Sequence, residues 1–182
     1  MNTQQQKRIG KFLSLVLRHR PEKIDLQLDE QGWTPVDHLL TQLARHGTQL
    51  GREELDYLVA TNPKLRYAYN EAGTHIRAQQ GHSIQVELGY KPVVPPAYLY
   101  HGTVGEFMGS ILEFGLEKRN RHHVHLSEDK ETATMVGSRR GKAIILSVRA
   151  GDMHAAGHEF FQSGNGVWLT ESVPPEFLEV PS

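Results

Sequence analysis

The chain has 182 residues, 38% of them hydrophobic and 23% charged, with twenty Lys and Arg against twenty-one Asp and Glu for a formal net charge of −1. This is the composition of one ordinary globular domain or two small lobes, and its balanced charge excludes the bulk basic signature of a protein that coats nucleic acid, so any phosphate recognition must be local. Cysteine is absent, which excludes disulfides, thiolate metal sites, iron–sulfur clusters and cysteine nucleophiles.

From Gln4 to His19, Ile9, Phe12, Leu13, Val16 and Leu17 recur at three- and four-residue spacing until Pro21, predicting a helix with one buried stripe. Further helices are predicted from Pro35 to Arg45, stopping at Gly47, and from Arg52 to Ala60, stopping before Asn62-Pro63. The period then changes. Leu65 to Tyr69 and Thr74 to Ala78 read as strands joined by the turn-forming Asn70-Glu71-Ala72-Gly73. Helices followed by a hairpin make a winged-helix-like lobe over residues 1–90, a shape often used on nucleic acid. Lys91-Pro92-Val93-Val94-Pro95-Pro96 is stiff and cannot continue a helix or central strand, so it is expected to be an interlobe linker. Residues 97–182 are strand-rich: Tyr98 to His101, Val124 to Ser127, Ala143 to Val148, Phe160 to Gln162 and Val167 to Thr170, punctuated by helices over Val104 to Phe114 and Asp129 to Val136. The expected class is α+β with a mixed or antiparallel sheet. No apolar run reaches the roughly 18 residues a bilayer span requires, and MNTQQQKRIGKF lacks the apolar stretch of a secretory signal, so a cytoplasmic protein is expected.

Eleven histidines, six of them after Pro96, favour proton chemistry or ligand contacts near neutral pH. Leu17-Arg18-His19-Arg20-Pro21 sets two guanidiniums around an imidazole where the first helix stops. Arginine's planar fork matches phosphate oxygens bidentately and histidine shuttles a proton; cations also favour helix C-termini by complementing the dipole alone. In the segment from Ile76 to Ser83, alternation puts His75 and Arg77 on one strand face and Ile76 and Ala78 on the other, and Gly81 lets the backbone approach a ligand closely. An exposed strand arginine followed by an ordinary loop fits the same residues.

Tyr100-His101-Gly102-Thr103 is read as a strand end before a helix, a small turn offering backbone N–H groups to a nucleotide, with His101 and Thr103 adding side-chain hydrogen bonds. Alternation in the segment from Arg121 to Ser127 sends His123, His125 and Ser127 to one face. Three histidines within four positions, with His154 and His158 later, invite a metal reading. No His-Glu-x-x-His helix, carboxylate pattern or cysteine accompanies them, so a polar strand face in a ligand cleft is preferred and no metal is expected. Gly137-Ser138-Arg139-Arg140-Gly141-Lys142 lacks the first glycine and the Gly-Lys-Ser/Thr ending of a P-loop, and a solvated basic turn accounts for it equally well. Around Gly164-Asn165-Gly166, core packing explains Phe160, Val167 and Leu169.

In order and spacing, KFLSLVLRHRP, IRAQQGHS, YHGT, HVHLS, GSRRGK and NGVWLT followed by VPP closely resemble the RNA 2′-phosphotransferase family, from Lys7 to about Pro175. The resemblance implies an N-terminal winged-helix RNA lobe, a C-terminal lobe with the ADP-ribosyltransferase fold, and an active site in the cleft between them. It implies transfer of an internal RNA 2′-phosphate to NAD⁺, consumed as a co-substrate, without a metal. First the 2′-phosphate displaces nicotinamide; the 2″-hydroxyl then attacks the joined phosphate, releasing 2′-OH RNA and ADP-ribose 1″,2″-cyclic phosphate. The family's catalytic set falls on Arg18, His19, Arg77 and Arg139, the last preferred to Arg140 because it follows a glycine and one other residue. His101, Gly102, Thr103, His125, Ser127, Gly141, Asn165 and Val167 fall on the NAD⁺ side. A monomer is expected, with tRNA splicing one source of substrate.

Physical chemistry agrees with these roles. A phosphate monoester dianion is already a nucleophile and needs cationic positioning rather than a base. The uncharged Asn165-Gly166-Val167-Trp168, where protein-modifying ADP-ribosyltransferases carry a glutamate, suits an anionic acceptor that a carboxylate would repel. His19 is a reasonable general acid for the RNA 2′-oxygen, and Arg139 stabilises the pentacoordinate transition state. Two other readings use the same residues: an ADP-ribosyltransferase acting on terminal phosphates of RNA or DNA, and a non-catalytic winged-helix sensor of ADP-ribose or NAD⁺.

Overall fold

The computed structural model describes residues Met1–Pro181. Their contacts form two units, Met1–Gly89 and the remainder from Tyr90, each with its own core.

In the first unit Asn2 caps helix α1 (Thr3–Arg18) through a reciprocal capping box with Gln5. The helix buries Ile9, Leu13, Val16 and Leu17, the stripe its spacing predicts. Pro21 then opens a single 3₁₀ turn, Pro21–Ile24. Helices α2 (Val36–Arg45) and α3 (Arg52–Ala60) contribute Leu39, Leu43 and Leu55 to the same core. Burying each such side chain stabilises by about 1.5–3 kcal/mol. Strands β1 (Thr34–Pro35), β2 (Tyr67–Tyr69) and β3 (His75–Ala78) form an antiparallel sheet with β3 in the middle.

Helix α1 is shifted by one residue at each end from the expected Gln4 to His19, and three further boundaries differ for a local reason. Pro35 is extended and pairs with His75, so α2 starts at Val36. Leu65 has φ +40°, outside the strand region, so β2 starts at Tyr67. Thr74 donates its N–H to Asn70 Oδ1 at 2.8 Å, which keeps it in the turn, and β3 starts one residue later.

In the second unit every strand pair is antiparallel. β4 (Leu99–Val104) runs in full register against β7 (Ala143–Val148), with β11 (Leu178–Glu179) on the other edge of β7. A second sheet has the order β6 (Val124–Leu126), β9 (Trp168–Thr170), β8 (Phe160–Gln162), and β5 (Leu116–Glu117) pairs with β10 (Ser172–Val173). Tyr100 and Ser127 exchange two backbone hydrogen bonds of 2.8 Å, which ties β4 to the end of β6. Helices α4 (Gly105–Phe114), α5 (Lys130–Gly137) and α6 (Ala150–Ala155) complete the unit around fully buried Leu99, Leu126, Leu146, Met153 and Phe160. The whole is α+β with antiparallel sheets. The one-turn α6 and the two-residue strands went unpredicted because such short elements carry no period. Residues 91–96 have neither helix nor strand and group with the second unit, where Val93 donates its N–H to Phe160 O at 2.8 Å.

The expected turn at Tyr100-His101-Gly102-Thr103 is corrected. These residues lie inside β4, with His101 opposite Leu146, Gly102 opposite Ile145 and Thr103 opposite Ile144, and the helix begins only at Gly105. Apolar, β-branched Val104 pairs with Ala143, so the ladder outlasts the predicted strand end by three residues. Gly102 has a packing reason to be glycine: a Cβ there would lie 1.9 Å from Ala133 O and 2.9 Å from Gly137 N, so α5 crosses β4 in backbone contact.

Candidate active site

The first unit gathers the Arg18-His19 segment and the loop that leaves β3. Arg18 is the last residue of α1 and is 9% exposed, so its guanidinium is held within the fold rather than swinging in solvent. His19 caps the helix, donating its N–H to Leu15 O at 2.9 Å. Ser83 fastens the two motifs twice: its N–H donates to Arg18 O at 2.9 Å, and its Oγ lies 2.9 Å from His19 Nδ1. Six residues upstream of Ser83, Arg77 is half-buried on β3 on the same strand face as His75, the face predicted by alternation. Its guanidinium lies 4.4 Å from the centre of the Trp33 ring and donates from Nη1 to Gln31 O at 3.4 Å. A guanidinium laid on an indole keeps its charge while its plane and direction are fixed. Ser83 closes the candidate segment from Ile76 but has no role assignable from sequence, and Trp33 stands in none of the motifs; their relation to His19 and Arg77 is purely tertiary.

In the second unit the Tyr100–Ser127 bridge brings His101 beside His125, whose backbone O is 3.1 Å from His101 Nδ1. A carbonyl only accepts, so Nδ1 carries the proton and Nε2 of the neutral ring is an acceptor. Burial, opposed by that hydrogen bond and reinforced by the Arg121 charge, holds the His101 pKa below the usual histidine range. Burial likewise lowers His123, whose ring meets Tyr90 and Phe161. His123, His125 and Ser127 share the half-buried face of β6 while Val124 and Leu126 are buried, in agreement with the predicted alternation. Among the described residues no three His, Asp or Glu side chains converge as a metal site would need.

The β6–β9 register, Leu126 opposite Trp168, carries Ser127 and Val167 to the same end of that sheet. Asn165 and Val167 belong to the turn between β8 and β9. There Ser163 Oγ donates to Asn165 Oδ1 at 2.6 Å and accepts the Val167 N–H at 3.0 Å, while Gly166 takes φ +80°. Thr103 is buried and shares a β4 face with His101, opposite to the Gly102 face that meets α5.

After α5 the 3₁₀ turn Ser138–Arg140 ends at Gly141, whose φ of +140° disfavours any side chain. The turn separates the two arginines. Arg140 places its guanidinium 5.7 Å from the centre of the Phe107 ring, whereas Arg139 is exposed and makes no hydrogen bond, ion pair or ring contact among the described residues. Of the two, only Arg140 has a ring contact among the described residues.

Residues 4–172 match the sequence profile described as "RNA 2'-phosphotransferase, Tpt1 / KptA family". Proteins named "Probable RNA 2'-phosphotransferase" are similar over their full or nearly full length. That of Flavobacterium johnsoniae is 57% identical over 182 residues, all of both chains, and that of Streptomyces griseus is 52% identical over 178 residues, 94% of each. Another, from Pseudomonas aeruginosa, is 52% identical over 170 residues, 93% of each. With the match spanning nearly the whole chain and both groups of candidate residues, this chain belongs to the RNA 2′-phosphotransferase family.

Proposed function

We propose that this protein is an NAD⁺-dependent RNA 2′-phosphotransferase that moves an internal RNA 2′-phosphate to NAD⁺. The products are 2′-OH RNA, nicotinamide and ADP-ribose 1″,2″-cyclic phosphate, formed by way of an ADP-ribosylated RNA. The first unit acts as a winged-helix-like RNA lobe and the second as an ADP-ribosyltransferase-like lobe, working in the cytoplasm on RNAs such as spliced tRNA. The observation that carries the reading is the double tether of Ser83 to Arg18 and His19, which joins two motifs 64 residues apart into one group.

The donor set of the second unit fits a nucleotide. His101 presents Nε2 as an acceptor for a ribose hydroxyl, Ser127 and Asn165 offer uncharged polar groups, and Gly141 lets the backbone approach closely. NAD⁺ supplies an anomeric carbon with nicotinamide as its leaving group. Arg18, Arg77 and Arg139 position and neutralise the phosphate, an electrostatic role in which preorganised guanidiniums act without reorganisation. His19, with one ring nitrogen at Ser83 Oγ, protonates the departing RNA 2′-oxygen.

The test is incubation of the protein with NAD⁺ and an RNA bearing one internal 2′-phosphate, without divalent metal. Nicotinamide and 2′-OH RNA should appear in equal amounts; appearance of neither rejects the reading. A stable ADP-ribosylated product with no 2′-OH RNA would identify a transferase that stops after one step.

A further inference from the structure

Of the nine Lys and Arg from Tyr90 onward, six lie in two short segments, 118–121 and 139–142, and neither segment contains an Asp or Glu. The fold brings the segments together on one aromatic ring. Arg119, held at φ +51°, places its guanidinium 5.2 Å from the centre of Phe107, and Arg140 places its own 5.7 Å from the same centre. The two guanidiniums are thus within roughly 11 Å of each other, comparable to the Debye length of about 10 Å at 0.1 M salt. Arg140 is also close enough to lower the pKa of Arg121, after the effect of burial. Of the nine, Arg149 pairs with Asp152 and Glu179, and Lys118, the first cation of the 118–121 segment, pairs with Glu171. Arg119, Arg121, Arg139, Arg140 and Lys142 make no ion pair among the described residues, and all five are exposed.

We propose that the 119–121 loop and the 139–142 turn, assembled on Phe107, form a cationic rim that binds the phosphodiester backbone of RNA flanking the reacting phosphate. The inference rests on the proposed function only for the identity of the polymer. A small ligand such as NAD⁺ is ordinarily enclosed over most of its surface, whereas an open cluster of exposed guanidiniums and an ammonium suits the repeated charges of a chain. The overall charge of −1 leaves such recognition to a local patch, and here five cations without an ion pair among the described residues cluster in two segments brought together on one ring. The rim thereby gives the second unit an RNA contact of its own beyond the first unit.

The experiment uses the full chain and its Arg119→Ala/Arg140→Ala variant, neither residue being in the catalytic or NAD⁺-binding set. Binding of an unmodified ten-nucleotide single-stranded RNA is followed by fluorescence anisotropy between 50 and 200 mM salt. Loss of two phosphate contacts should weaken binding roughly tenfold at low salt and flatten the log–log salt slope by about 1.4. In turnover assays the KM for a long 2′-phosphorylated RNA should rise while that for a 2′-phosphorylated dinucleotide and that for NAD⁺ stay constant. An unchanged salt slope overturns the inference, as does a rise confined to the KM for NAD⁺, which would make the rim a dinucleotide site. If RNA binding responds as expected and no 2′-phosphate is ever transferred, the rim stands and the proposed reaction falls.

Discussion

Replacing Gly102 with alanine adds a single methyl group where α5 touches β4. The new Cβ would stand 1.9 Å from Ala133 O, 2.8 Å from Ala133 C and 2.9 Å from Gly137 N, all backbone atoms with no rotamer to escape into. Ordinary contact begins at 3.4 Å, so α5 must withdraw by about 1.5 Å or β4 must bend away from β7. Overpacking a core that adjusts through its side chains costs roughly 1–3 kcal/mol, and backbone against backbone belongs at the top of that range. Alanine recovers about 0.5–1 kcal/mol of the entropy that glycine loses in a strand, leaving a net loss of about 2 kcal/mol. In urea, with a slope of roughly 1–3 kcal/mol/M, the unfolding midpoint should fall by about 1 M. The same shift carries the Ser138–Arg140 turn that follows α5 and moves Arg139, so kcat should drop even where the protein remains folded. Gly105→Ala is the control, because a Cβ there meets nothing within 4 Å. A Gly102→Ala protein with an unshifted midpoint and full activity would refute the close-approach argument and return Gly102 to a ligand-facing role.

Arg139→Ala should slow the second step enough for ADP-ribosylated RNA to accumulate, visible on denaturing gels, while Arg140→Ala should not; the reverse pattern would exchange their roles. Ser83→Ala removes the partner of His19 Nδ1 and, at about 1–1.5 kcal/mol for one such hydrogen bond, should cut kcat roughly tenfold and shift its pH profile. The KM for NAD⁺ should not move, and Ser83→Thr should restore the rate; equal losses in the Ala and Thr variants would leave Ser83 only a structural role. Stability should also fall in acid. The depressed pKa values of folded His101 and His123 mean that, as pH drops through about 6.5, the unfolded chain takes up protons that the folded chain does not. That contribution is fully present above pH 6.5 and is lost toward the folded pKa values. A urea midpoint measured between pH 7.5 and 5.5 should decline less in His101→Gln than in the parent, and parallel declines would exclude His101 as a cause.

Local rules suffice for much of this molecule. The period of Ile9, Leu13, Val16 and Leu17 determined α1 and its buried stripe, Pro21 its end, and strict alternation the faces of Arg77 and of His123, His125 and Ser127, because these follow from the geometry of one helix or strand. The order and spacing of the motifs also determined the family. Tertiary structure decided what no local pattern encodes. It turned Tyr100-His101-Gly102-Thr103 from a predicted turn into a paired strand, because the ladder to β7 satisfies that backbone. It gave Gly102 to helix packing, set the Nδ1 proton of His101 through a carbonyl 24 residues away, and fastened His19 to Ser83 across 64. It also separated two adjacent arginines, laying Arg140 on Phe107 and leaving Arg139 without a ring contact, a difference that arises only when distant segments fold onto each other.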